Sequence, residues 1–235
     1  MWRQQMTIST GGRGERGTTT RALAAVGALA AILTIVGLSG VGDAPAPLVD
    51  AQLMAEHFQA VRVDVFIGAA VGLVGTALLT GFGLTLALRL ARAGEKGAAL
   101  VVAAGLTAVV GYLLAIHVVY ATLSYAVATT SADVTKGMFV ATILAVPVFG
   151  LGVATLLVGA AIGCRRADVM PSWWLTATIG AATLSIIAVF SYAKSGFFSP
   201  DVQQQVVTDI LVAWLLTTSI VSAVGRRHHG LDEPA

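Results

Sequence analysis

Three ionisable side chains fall inside the long apolar stretches of this 235-residue chain: Asp64, His117 and Asp209. An ionisable group in hydrocarbon costs roughly 2.5 to 3.5 kcal/mol at mid-depth on insertion scales, so each is a candidate site by default. Imidazole beside carboxylates suits proton exchange near neutral pH. The three could therefore form an outward-facing polar pocket for a proton, a cation or a polar ligand, with Arg62 or Lys194 at its rim. Counted along their stretches, all three fall about one turn from the outer boundary. The competing reading is that shallow placement lowers the penalty and lets Asp64 pair with Arg62 or with water.

Other chemistries fit less well. Glu56 and His57 could join the set as metal ligands, but they are adjacent, and no ligand pair has helical i, i+4 spacing. Haem held between helices needs a second deep histidine, and His228 and His229 sit in the polar tail. Ser124 and His117 are two turns apart on one helix, about 10 Å, which is beyond hydrogen-bond reach. The single cysteine, Cys164, excludes an internal disulfide and any multi-cysteine site. It precedes Arg165 and Arg166, where a lipidated thiol is conceivable and a small residue filling a helix end is simpler. No phosphate-binding Gly-x-x-x-x-Gly-Lys-Ser/Thr loop, His-Glu-x-x-His zinc helix or Gly-x-Ser-x-Gly elbow occurs. The residues thus indicate no cofactor, no metal site and no catalytic residue.

The elements that must position these residues are membrane spans. The chain is 57% hydrophobic and only 11% charged, with mean hydropathy +0.86. A soluble domain carries roughly 25% charged residues, so a water-facing surface could not be built from this composition. A bilayer core of about 30 Å needs about 20 apolar residues in a helix. Six such runs are predicted, at about 22–41, 61–90, 98–120, 138–163, 173–192 and 206–224. The fold class expected is an all-α, polytopic transmembrane bundle spanning 21–225. A disordered leader over 1–20 and a mobile tail over 226–235 flank it.

Basic residues set orientation. Of the 14 Lys and Arg, 11 fall on one side: Arg3, Arg13, Arg16, Arg21, Arg89, Arg92, Lys96, Arg165, Arg166, Arg226 and Arg227. Arg62, Lys136 and Lys194 fall on the other, with Asp43, Asp50, Glu56, Asp133 and Asp201. Both termini are therefore predicted to be cytoplasmic. The net charge of +2 reflects this scatter of short basic segments and points to no nucleic acid. An Ala-x-Ala pattern at Ala44 to Ala46 raises a cleaved signal peptide, against which stand the long polar leader and Pro47.

On the second span Asp64, Gly68, Gly72, Gly75, Leu79 and Gly83 share one face, as do Gly152, Thr155, Gly159 and Gly163 on the fourth. Small residues let another helix approach closely, so both are predicted to be packing helices, with Asp64 pointing into the bundle. The two share a small-residue texture but run in the same direction, which gives no support for an inverted repeat. Pro147 predicts a kink over Ile143 to Pro147. Trp173 and Trp174 read as interfacial, with Tyr120, Tyr125, Tyr192, Phe197 and Phe198 as the opposite belt.

The acidic, Pro-containing first loop, the Arg165-Arg166 then Pro171-Ser172-Trp173-Trp174 entry to span five, and Ser195-Gly196-Phe197-Phe198-Ser199-Pro200 before a Trp214-bearing last helix form a pattern. It resembles the uncharacterised six-helix membrane proteins, known as domains of unknown function, of high-GC Gram-positive bacteria. The resemblance covers most of 20–228 and implies a fold and a bacterial plasma membrane, with no functional residue to carry over. Two functions follow from the residues. One is a non-enzymatic structural or accessory membrane component, meeting a membrane-protein partner or its own copies. The other is a small proton- or cation-coupled transporter, although no charged residue lies at the midplane, where carriers bind.

Overall fold

A computed structural model of the chain describes residues 12–42, 47, 49–193 and 196–224, with side chains from residue 22 onward. The described residues form eight α-helices and one short 3₁₀ turn, without strands. They are α1 (Gly12–Ser39), α2 (Ala51–Ala60), α3 (Arg62–Arg92), α4 (Lys96–Ala126), α5 (Ala132–Leu144), α6 (Val146–Arg166), α7 (Ser172–Ile187), the 3₁₀ turn Ala188–Phe190, and α8 (Pro200–Val224). Among the described residues six segments are long and apolar enough to cross a membrane, α5 and α6 together making one of them. Residues 1–11, the Ala44 to Ala46 pattern, Lys194 and the tail with His228 and His229 lie outside the described residues.

The helices run back and forth, and the packing closes on itself. α1 lies against α3 and α8, α4 lies between α3 and α6, and α6 reaches α7 and α8. Glycines make the close approaches, as their shared faces predict. A Cβ built on Gly105 of α4 would stand 2.2 Å from the backbone nitrogen of Leu156, and one on Gly37 of α1 would stand 2.4 Å from the Cα of Gly72. Gly152 and Gly159 abut α4 in the same way. Backbone-to-backbone contact of this kind maximises dispersion where lipid removes the hydrophobic drive between helices.

The outer faces are apolar. Ile32, Val74, Leu88, Leu100, Val118, Leu151, Ile179 and Ile220 are each more than half exposed. Apolar exposure on this scale suits a lipid environment. At one end, Arg166 pairs with Glu95 of the α3–α4 turn at 3.4 Å, close to Arg89, Arg92 and Lys96 in sequence.

The opposite end differs from the sequence expectation. α4 continues to Ala126, α5 begins at Ala132 and α8 begins at Pro200, each about one or two turns beyond its apolar run. With α2 they build a helical cap. Asp50 accepts the Gln52 N–H at 2.8 Å to start α2, and Phe58 of α2 meets Phe139 of α5 edge-on at 5.4 Å. Polar residues such as Thr122, Thr135, Lys136 and Gln203 dilute the hydropathy of these turns without disfavouring helix. α1 likewise begins at Gly12, inside the leader whose composition suggested disorder. Once the apolar run has nucleated a helix, adding turns costs little.

The kink predicted at Pro147 is a full break. α5 ends at Leu144, the Ala145 N–H turns back to Thr142 O at 3.3 Å, and Pro147 occupies the first turn of α6. There its missing N–H has no intrahelical acceptor to lose.

Candidate functional site

His117 is completely buried, and neither ring nitrogen has a hydrogen-bond partner. Its ring edge faces α3 at Gly72, where a Cβ would stand 2.1 Å from Cε1. Gly37 of α1 closes on Gly72 as well, so three helices meet beside this imidazole. Only glycine at position 72 leaves room for the ring.

Depth follows from the same contacts. Gly72 is eight residues further along α3 than Asp64, so His117 sits about 12 Å deeper than Asp64. On α8, Ser219 is level with Gly27 of α1. Ten residues toward the cap on each helix bring Asp209 level with Gly37, and hence with Gly72 and His117. A second tie is the Trp174 indole, which donates to Thr218 Oγ1 at 3.1 Å. From that pair Phe190 lies 16 residues toward the cap and Asp209 nine, which puts Asp209 about 10 Å below the exposed Phe190. Two of the three candidates therefore share a depth, and the third does not.

Nor do their side chains meet among the described residues. Asp64 is exposed and makes no hydrogen bond or ion pair there, including with Arg62. It stands at the edge of the glycine face, where Gly40, just past the end of α1, covers its backbone carbonyl rather than its carboxylate. The expectation that Asp64 points into the bundle is corrected by this geometry. Asp209 is exposed on the outer face of α8 and accepts from Gln205 Nε2 at 2.9 Å.

The alternative metal ligands are also committed elsewhere. His57 Nε2 is 3.0 Å from Val41 O, tying α2 to the end of α1, and Glu56 accepts from Gln52 at 3.1 Å. Among the described residues no three His, Cys, Asp or Glu side chains gather as a metal group. Cys164 is buried within α6. Ser124 Oγ donates to Ala121 O at 2.8 Å, a local bond within α4.

Buried polar contacts between helices are the feature that sequence reading missed. Tyr120, expected in an interfacial belt, is buried, with its hydroxyl beside the Gln204 side chain of α8 and the Thr142 side chain of α5. Gln203 donates to Phe197 O at 2.7 Å, fixing the loop before α8. Trp174 is 1% exposed while its neighbour Trp173 is 55% exposed, so the interfacial expectation fails for Trp174. Adjacent residues on a helix diverge by 100°, which was the available signal. Trp174→Phe is expected to lower stability by about 1 kcal/mol through loss of the Thr218 bond. Trp173→Phe should leave it unchanged, as read from thermal unfolding in detergent.

Six apolar helices with lipid-facing surfaces and charges at their ends define a multi-pass, all-helical membrane protein. Comparison with protein-family models, curated proteins and solved structures finds no match.

Proposed function

We propose that the chain is a non-enzymatic structural or accessory component of a membrane assembly. The observation that carries this reading is the separation of its ionisable residues. His117 is sealed between helices, while Asp64 and Asp209 sit on exposed faces at different depths. A shared proton or ligand site needs those groups around one aqueous space. The distribution of basic residues supports an orientation with Arg89, Arg92, Lys96, Arg165 and Arg166 in the cytoplasm and the cap outside. The Ala, Gly, Val and Arg bias fits the plasma membrane of a bacterium with a GC-rich genome, in line with the resemblance drawn from the loop motifs.

The second reading, a proton- or cation-coupled transporter, draws on the two unpartnered nitrogens of His117 and the helix break at Ala145. Proton flux into proteoliposomes separates the two. Wild type, Asp64→Asn and Asp209→Asn are expected to match protein-free liposomes. A wild-type flux lost in either variant would establish transport instead.

A further inference from the structure

We infer that the Gln205–Asp209 face of α8 pairs with the same face of a second copy of this chain within the membrane. Asp209 is exposed about 10 Å below the level of Phe190, on a helix whose outer residues two and three turns away, Val202 and Ile220, are apolar. Its Oδ1 accepts one N–H of the Gln205 amide. The second amide N–H, the amide oxygen and the other carboxylate oxygen make no bond among the described residues. In hydrocarbon such atoms find partners only on another protein.

What remains on this face is self-complementary: each copy has one donor and its acceptors left over. Two copies inserted in the same direction and related by a twofold along the membrane normal form an isologous contact. Gln205 of each then donates to Asp209 of the other, so every carboxylate is bracketed by two amides. A cation on a helix of some other protein would engage the carboxylate and leave the amide unused. Ala213, exposed one turn further along, is small enough to let the two α8 backbones approach. The inference rests on α8 spanning a membrane and is independent of whether the chain has an activity.

Oxidative cross-linking of the full chain in liposomes tests it, in a Cys164→Ala background. Ala213→Cys is compared with Ile179→Cys, an exposed position of α7 at the same depth, since each lies five residues from the Trp174–Thr218 bond. Ala213→Cys is expected to yield covalent dimers and Ile179→Cys none. Adding Gln205→Leu and Asp209→Leu should cut the dimer yield about tenfold, the order set by two interhelical hydrogen bonds in lipid. On the isolated monomer, where this face meets lipid or detergent, that pair should leave the unfolding midpoint undiminished. Equal yields at the two cysteines, or a yield unmoved by the leucine pair, would overturn the dimer. Photobleaching of the labelled wild-type chain gives a check free of substitutions on α8: two steps per particle are expected, and one step overturns it. Either failure would leave the flux result, and the proposed function, standing separately.

Discussion

Gly105→Val is expected to be among the most damaging single substitutions in the chain, costing about 3 kcal/mol or more. A Cβ at this position meets the backbone nitrogen and Cα of Leu156 at 2.2 and 2.7 Å and the carbonyl of Gly152 at 2.8 Å. None of these is the movable end of a side chain, so α4 and α6 must separate. Along that seam Gly152 faces Ala108 and Val109, and Gly159 faces Val102, so the displacement loosens the whole contact. Gly111 on the same helix is the control, because a Cβ there meets nothing within 4 Å. Gly111→Ala should be neutral or stabilising by a few tenths of a kcal/mol, as expected for alanine at an unstrained helical position. Unfolding midpoints of the purified variants in detergent give both numbers.

The second large effect is conditional on a partner. Gly72→Ala alone is expected to cost about 2 to 3 kcal/mol, because its methyl group occupies the space of the His117 ring. In a His117→Ala background the same change should be nearly neutral, leaving a coupling of about 2 kcal/mol or more in a double-mutant cycle. The prediction separates a packing role from a chemical one. If His117 were held in an open aqueous pocket, its ring could swing away and Gly72→Ala would cost little in either background.

The sequence was most informative where composition and periodicity act together. Six apolar runs became six spans, and the glycine faces of the second and fourth became the contact surfaces of α3 and α6. Pro147 marked the break because proline has a fixed backbone consequence wherever it stands. Hydropathy failed at the cap, where α2 and the outer turns of α4, α5 and α8 mix Gln, Thr and Lys with apolar residues. Those turns are held by tertiary contacts such as Phe58 with Phe139, which a one-dimensional window does not see.

The candidate site was legible as a list of residues and illegible as an arrangement. Asp64, His117 and Asp209 were found because ionisable groups in apolar runs are rare. Their depths were read from the ends of hydrophobic windows, and α4 runs six residues beyond its window, which places His117 deeper than it seemed. Helical phase was equally hidden. Asp64 stands at the edge of a buried arc, where a small rotation of α3 decides between bundle and lipid. Tyr120 and Trp174 went the other way, since an aromatic near a span end reads as interfacial until its phase is known.

His117 is closed off from the surface of the bundle, while the Asp64 carboxylate is exposed. With Cys164 changed to Ala, the chain carrying His117→Cys and the chain carrying Asp64→Cys can each be exposed to a charged, membrane-impermeant thiol reagent, in right-side-out and inverted vesicles. Asp64→Cys should be labelled from one side, and His117→Cys from neither. Labelling of His117→Cys from the capped end, at a rate comparable to Asp64→Cys, would contradict a sealed bundle and restore an aqueous pocket.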